Sequence, residues 1–174
     1  MSKSSVETMK RDEMKVLDAL GQYPEEKISE IGKRCGFSPQ KIARIIKNLE
    51  KDKIIWGYSA ITDGTLRKLS HFVVLVKRNA VPFDASFKKE LAIEKIDNLL
   101  SSGARVESMF FTHGSFDLVM IFYASNLIEA KDFIEKIYDR VGKYFGEHVL
   151  LETLVPIRKN GLKNPRNIEL VEYL

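Results

Sequence analysis

The chain has 174 residues, 44% of them hydrophobic and 30% charged, with 10 glycines, 5 prolines and no low-complexity run. This composition is typical of a globular protein with enough apolar residues for one medium or two small cores, and it excludes a fibrous or disordered chain. The formal net charge of +4 permits an acidic partner without requiring one. The single cysteine, Cys35, excludes an intramolecular disulfide, favours a reducing compartment and is assigned no chemistry.

The N-terminus predicts no targeting or membrane segment. Residues 1–10 lack an apolar stretch, and no run in the chain approaches 18 uninterrupted apolar residues. We therefore expect a cytoplasmic protein that does not enter a membrane.

The basic residues are concentrated in one stretch. Between Lys27 and Lys53 eight basic residues stand against three acidic ones, so this stretch carries +5 and the rest of the chain nearly cancels. Such a cluster is typical of a nucleic-acid-binding surface, whereas the simpler alternative is a solvated basic helix face.

Two helices are predicted in the first 35 residues of the chain. The first covers Asp12 to Leu20 and buries a face with Met14, Leu17 and Leu20, with Val16 beside them. The second covers residues 28–34, with Ile28, Ile31 and Cys35 directed inward. Gly36 follows and can take a positive φ to close a tight turn.

A third helix is predicted from Pro39 to Lys51, with Ser38 as its N-cap. Its apolar side comprises Ile42, Ile45, Ile46 and Leu49. Two helices joined by a short glycine-containing turn form a helix-turn-helix, whose second helix lies in the DNA major groove. The residues predicted to contact DNA are Ser38, Gln40, Lys41, Arg44, Lys47 and Lys51. Residues 53–61 are expected to form a short β-ribbon, the wing of this module.

From residue 62 onward the pattern predicts the order β-α-β-β-α-β, which is the ferredoxin-like arrangement. The strands are predicted at residues 72–76, 105–112, 118–123 and 149–157; the helices open at Asp84 and Asn126, the first carrying Phe87, Leu91, Ile96 and Leu99 or Leu100. The fold class is thus α+β, with a winged helix-turn-helix (1–61), a linker (62–71), a ferredoxin-like domain (72–158) and a C-terminal extension (159–174).

The predicted sheet is apolar on both sides, because the runs at residues 72–76 and 118–123 do not alternate with polar residues. Both helices can cover only one face, so the other face requires a partner. A second copy of the chain is the simplest candidate, since two-fold dimers are the commonest assembly. We therefore expect a homodimer or a higher even-numbered oligomer that presents paired helices to double-stranded DNA.

The sequence resembles the Lrp/AsnC (leucine-responsive/asparagine regulator, feast-famine) family from about residue 11 to residue 157. The resemblance is carried by Asp12, Val16-Leu17, Leu20, Ser29-Glu30-Ile31-Gly32, Gly36-Phe37-Ser38, Leu49-Glu50, Ile54-Ile55-Trp56-Gly57-Tyr58 and Thr112-His113-Gly114-Ser115-Phe116-Asp117-Leu118. It implies a transcriptional regulator that dimerises through its C-terminal sheets and responds to an amino acid or related small molecule. The effector residues carried over are Gly114, Phe116 and Asp117, and the alternative for Asp117 is a turn cap at a strand start.

The chain also departs from the family pattern. The segment 81–103 is longer than usual, and about seventeen residues follow Ile157, including Lys159-Asn160-Gly161. Gly32 stands where the family usually has alanine, which lowers helix propensity, and closer packing of the third helix would offset that.

The sequence leaves two alternatives to a regulator. The sirohaem decarboxylases share this architecture but act on a tetrapyrrole; in this chain His71, His113 and His148 have no metal-ligand spacing, and no phosphate loop or nucleophile elbow is present. We therefore expect no enzyme activity, no metal and no cofactor. The other alternative is a metabolite-sensing module without DNA binding, in which Lys41, Arg44 and Lys47 are only solvated.

Overall fold

The computed structural model describes residues 3–62, 64–92 and 103–166. The chain divides into two compact units, Met1–Ala60 and Ile61–Leu174. Within the described residues no helix is long and apolar enough to cross a membrane.

The first unit contains three helices, α1 (Lys3–Gln22), α2 (Ile28–Cys35) and α3 (Pro39–Lys51). Their core contains Val16, Ala19, Ile31, Cys35, Ile42, Ile45 and Leu49, all buried. The predicted apolar side of α3 is confirmed, because Ile42 and Leu49 are almost fully buried.

Two predicted burial positions in the first unit are wrong. Met14 is 64% exposed, because at about 100° per residue it lies nearly opposite Val16, the residue of α1 that is fully buried. Ile28 is 45% exposed; it is the first residue of α2, and the packed stripe of that helix begins at Ile31. α1 also begins nine residues before the predicted Asp12.

The predicted β-ribbon at residues 53–61 is wrong as well. No strand occurs there, because a strand requires a hydrogen-bonded neighbour and the described part of this unit contains no other strand. The N–H groups of Ile54 and Ile55 instead donate to the carbonyl of Leu49 at 2.9 and 3.1 Å. The segment that follows is exposed, and Trp56 is 94% accessible.

The second unit is built on a four-stranded antiparallel sheet in the order β2-β3-β1-β4. Its strands are β1 (Ser70–Arg78), β2 (Arg105–Phe111), β3 (Leu118–Ala124) and β4 (Phe145–Glu152), and its helices are α4 (Ala85–Ala92) and α5 (Leu127–Val141), with a 3₁₀ turn at Thr65–Arg67. This order confirms the predicted ferredoxin-like arrangement. Ile96, Leu99 and Leu100 lie outside the described residues.

One face of the sheet and the helices enclose the core, which includes Phe72, Val74, Met120, Phe122 and Phe133. Both helix starts are capped as predicted: Asp84 accepts from the N–H of Phe87 at 2.8 Å and Asn126 accepts from that of Glu129 at 3.0 Å.

The last predicted strand is displaced. The prediction placed it at residues 149–157, but β4 begins at Phe145, which pairs with Arg78 across a bulge, and ends at Glu152. Pro156 lies beyond it, in keeping with a residue that has no N–H to donate to a ladder.

The chain then forms a two-stranded hairpin within the region predicted as an extension. Strands β5 (Arg158–Lys159) and β6 (Leu162–Lys163) are joined by Asn160 and Gly161, both with positive φ (46° and 83°). Two positive φ values are the signature of the tight hairpin turn that Asn-Gly favours. The Asn-Gly pair is therefore a sequence signal for a hairpin, although the sequence pattern predicted only an extension here.

Candidate nucleic-acid interface

The turn between α2 and α3 is fixed by backbone geometry. Gly36 takes φ 71° and ψ 32°, the left-handed conformation that glycine adopts without a steric penalty. The N–H groups of Gly36 and Phe37 donate to the carbonyls of Lys33 and Gly32 at 3.2 and 2.8 Å. The predicted role of Gly36 is confirmed.

Gly32 lies in α2 and is buried against this turn. A Cβ atom at this position would lie 2.7 Å from the carbonyl oxygen of Phe37 and 3.7 Å from the backbone nitrogen of Pro39. Real Cβ contacts with backbone are not this short, so glycine lets the turn and the start of α3 pack directly on α2.

Helix α3 begins as the sequence predicts. The Ser38 hydroxyl accepts from the N–H of Lys41 at 3.3 Å, and Pro39 occupies the first helical position. Ser38 therefore has a local structural role, which stabilises a helix end by about 1 kcal/mol.

A basic and amide stripe runs along the exposed side of α3. Gln40, Arg44, Lys47 and Lys51 follow one another at spacings of four, three and four residues, so they lie on one face of the helix. All four are exposed. Within the described residues none of them has an acidic partner, so their charges and donors face solvent.

Three other basic residues of the predicted cluster are paired inside the unit. Lys33 contacts Glu30 at 2.8 Å, Arg34 contacts Glu26 at 2.6 Å, and Lys41 contacts Asp12 at 2.7 Å. The cluster is thus divided. Of the five basic residues that have no acidic partner among the described residues, three lie on the exposed stripe of α3: Arg44, Lys47 and Lys51.

Arg34 and Cys35 contribute to the packing of the first unit. The guanidinium of Arg34 also lies over the Tyr23 ring at 3.6 Å, and its donation to Glu26 holds the pKa of that carboxyl below its usual value. Burial raises the pKa of the Cys35 thiol, which keeps it in the unreactive protonated form.

The predicted effector turn in the second unit is organised by its own backbone. Gly114 has φ 149°, and the Thr112 hydroxyl donates to the Phe116 carbonyl at 2.7 Å. The Oδ2 atom of Asp117 accepts from the N–H of Arg78 at 2.8 Å. The backbone N–H of Asp117 donates to the carbonyl of Val76. Asp117 therefore ties the turn to the end of β1, through a residue that is distant in the chain rather than through a cap of its own turn.

A polar network that the sequence did not reveal lies at the other end of β1. His71 contacts Thr153 through Nδ1 at 2.7 Å and Glu107 through Nε2 at 3.0 Å. Glu107 also pairs with Lys159 of the hairpin at 2.9 Å, and Lys159 donates to the Tyr123 hydroxyl. A cavity of about 250 Å³ adjoins this network.

Both ring nitrogens of His71 are already bonded within this network. Desolvation would raise the pKa of Glu107, but hydrogen bonds from Lys159 and His71 outweigh it and lower that pKa. No periodic pattern links residues so far apart in the chain, so only the fold shows this network.

The remaining histidines lie elsewhere. His113 is exposed in the effector turn, and His148 lies on β4 with its ring 5.0 Å from that of Tyr138. No group of three or more metal-binding side chains occurs within residues 3–62, 64–92 and 103–166.

The three helices and the glycine turn define the first unit as a helix-turn-helix domain, and its third helix carries the exposed stripe. The sequence model of the family described as "Winged helix-turn-helix DNA-binding" matches residues 13–55, which span the core of all three helices and the basic stripe. A search of curated proteins found no match.

Solved structures extend the likeness to both units. A transcriptional regulator from Neisseria meningitidis in complex with L-methionine is 18% identical, covers 91% of this chain and 97% of its own, and has a TM-score of 0.63. The leucine response regulatory protein of Mycobacterium tuberculosis is 20% identical over 88% and 97% (TM-score 0.62), and an AsnC family regulator from Agrobacterium tumefaciens is 15% identical over 92% and 99% (TM-score 0.63). The predicted resemblance to Lrp/AsnC regulators is confirmed: this chain has their fold.

Proposed function

We propose that this protein is a sequence-specific DNA-binding transcriptional regulator whose α3 lies in the major groove. The observation that carries the proposal is the exposed stripe of Gln40, Arg44, Lys47 and Lys51, which has no acidic partner among the described residues. Arginine and glutamine side chains suit base edges, and lysines suit phosphates. Solubility alone would not require the unpaired basic residues of α3 to lie together on one face, apart from the basic residues that form ion pairs.

We also propose that the protein acts as a homodimer or a higher even-numbered oligomer. The face of the sheet that the helices leave open carries half-buried or exposed apolar side chains on all four strands. They are Val73, Leu75, Phe110, Val119, Ile121, Val149 and Leu151. Apolar surface of this extent on a sheet favours coverage by a partner, and an identical sheet is self-complementary under two-fold symmetry.

An amino acid or a related small molecule is the effector class that we propose for the turn at Gly114, Phe116 and Asp117. The similar Neisseria regulator was solved with L-methionine. In this chain Asp117 commits one oxygen to the N–H of Arg78, and within the described residues its other oxygen accepts no hydrogen bond. That oxygen suits an α-amino group.

Neither alternative function has a supporting observation. A tetrapyrrole enzyme would need histidines that converge, whereas His71, His113 and His148 occupy three separate places in the second unit. A sensor without DNA binding leaves the basic stripe unexplained.

Selection of bound duplexes from a random-sequence pool tests the proposal. Wild-type protein should enrich one motif, with half-sites spaced by about 10 base pairs or a multiple of it. Arg44→Ala should lose about 1–3 kcal/mol of discrimination at the base pair that Arg44 reads. Enrichment of no motif by the wild type would refute sequence-specific binding. Repeating the selection with single amino acids added tests the effector.

A further inference from the structure

The side chain of Lys41 points away from the exposed stripe of α3. Its ammonium lies 2.7 Å from Oδ2 of Asp12 on α1 and 3.7 Å from the centre of the Phe37 ring. Lys41 is one turn before Ile45, which is 6% exposed, so both residues lie on the side of α3 that faces the core.

This ion pair is more enclosed than the pair that Lys33 forms with Glu30. The Lys41 and Asp12 side chains are 33% and 16% exposed, against 74% and 49% for Lys33 and Glu30. Ion pairs on an open surface contribute little to stability, whereas a partly desolvated charge that loses its partner is costly.

The pair also occupies a sensitive place in the domain. Asp12 is one turn before Val16, the fully buried residue of α1, and Lys41 is in the first turn of α3. Its own N–H is bound by the Ser38 cap at 3.3 Å. The contact therefore joins α1 to the N-terminal end of α3, which is the end from which a recognition helix reads bases.

We propose that Lys41 does not contact DNA and that the Lys41–Asp12 pair positions the recognition helix against α1. The inference rests on the proposed function. It separates two kinds of basic residue that look alike in the sequence: the stripe of Arg44, Lys47 and Lys51 binds the nucleic acid, and Lys41 sets the angle at which the stripe is presented.

Asp12→Asn is the decisive variant, because the two roles of Lys41 predict opposite effects. If Lys41 contacts a phosphate, Asp12→Asn frees it and removes a negative charge, so affinity should rise or stay the same. If the pair positions α3, affinity should fall although the protein has become more basic. Asp18→Asn, an exposed acid on the same helix, is the matched control.

The measurement is the Kd for a fluorescein-labelled duplex of about 30 base pairs, or three helical turns, recovered by selection with the wild-type protein. It is made over a salt series and well below the unfolding midpoint of each variant. We expect Asp12→Asn and Lys41→Met each to raise Kd on the order of tenfold. The double variant Asp12→Asn/Lys41→Met should have a Kd no higher than that of either single variant. All three variants should keep the salt slope of the wild type.

Two results would overturn the inference. The first is unchanged or tighter binding by Asp12→Asn together with a salt slope that flattens by about 0.9 in Lys41→Met, as expected when one phosphate is no longer neutralised. The second is an altered unfolding midpoint in both variants with an unchanged Kd, which indicates a stabilising role only. Arg44→Ala, measured alongside, distinguishes these results from failure of the proposed function. If α3 does not bind DNA, Arg44→Ala will also bind the duplex as the wild type does.

Discussion

The environment of a charged residue is hardest to predict from the sequence when the residue forms an ion pair. Lys41 and Lys47 belong to the same basic run, yet the first is held by Asp12 and the second faces solvent. Periodicity indicates which side of a helix a residue occupies. It does not indicate which charge on a neighbouring helix lies opposite, because 29 residues separate Lys41 from Asp12 along the chain.

Asp84, in the second unit, also has charged and polar partners that are distant in the chain, and they lead to a prediction about the pH dependence of stability. The sequence identified it as a helix cap, but its second carboxylate oxygen also accepts from the Tyr144 hydroxyl and from Lys143 at 3.1 Å. The hydrogen bond from Tyr144 contributes most, and together these contacts hold the pKa of Asp84 well below its usual value.

A lowered pKa in the folded state means that the charged form of Asp84 stabilises the fold. This stabilisation is complete above the ordinary carboxyl pKa of about 3.9 and is lost as the pH falls through the folded-state pKa. Asp84→Asn keeps a cap-forming side chain but removes the charge. We expect it to melt below the wild type at neutral pH, with a difference that shrinks as the pH falls below about 4.

Calorimetric melting over a pH series measures this difference. Asp132→Asn, which removes an exposed acid from α5 without a partner among the described residues, is the control and should show no such dependence. A gap between wild type and Asp84→Asn that is constant with pH would contradict the account.

At the scale of elements, the sequence predicted what local rules determine. The N-cap and proline of α3, the glycine turn before it and the order of strands and helices follow from propensity and period, and the structure confirms them. The errors concern elements whose limits depend on neighbours. Residues 53–61 form no ribbon because no strand pairs with them, and β4 begins at Phe145 because β1 continues to Arg78.

Gly32 tests the packing of α2 against the turn that follows it. Alanine would add about 1 kcal/mol of helix propensity, but its Cβ would meet the Phe37 carbonyl at 2.7 Å. Relief requires a backbone shift in a buried place, which costs about 1–3 kcal/mol. We therefore expect Gly32→Ala to lower the free energy of unfolding of the first unit.

Chemical denaturation followed by circular dichroism measures the change. Gly21→Ala is the matched control, because Gly21 also lies in a helix and nothing stands within 4 Å of an added Cβ. It should be neutral or stabilising. If Gly32→Ala stabilised the protein as much as Gly21→Ala, the close packing would not constrain position 32.

At the scale of the whole molecule, the open face of the sheet determines the assembly that we propose. Ile121 lies on the central strand β3, beside Val73 on one neighbour and Ser108 on the other. It is only half-buried in a single chain, so a lysine there can be accommodated by a monomer but not at the centre of a sheet-to-sheet contact.

Light scattering at micromolar concentration tests the assembly. The wild type should give a mass of at least twice the 20.0 kDa of the chain, and Ile121→Lys should give the chain mass. Ile128→Lys makes the same substitution at a site on α5 that is 71% exposed, and it should leave the assembly intact. A wild-type mass of 20.0 kDa would refute the proposed pairing.

The central claim is that the exposed stripe of α3 binds DNA, and the salt dependence of affinity tests it most directly. An Arg44→Ala/Lys47→Ala double variant should bind the selected duplex more weakly than the wild type. Its plot of log K against log salt should be flatter by about 0.9 for each phosphate that the variant no longer neutralises. Lys131→Ala/Lys136→Ala, which removes two exposed charges from α5, should keep the wild-type affinity and slope. Equal binding by the wild type and the α3 double variant at every salt concentration would contradict the claim.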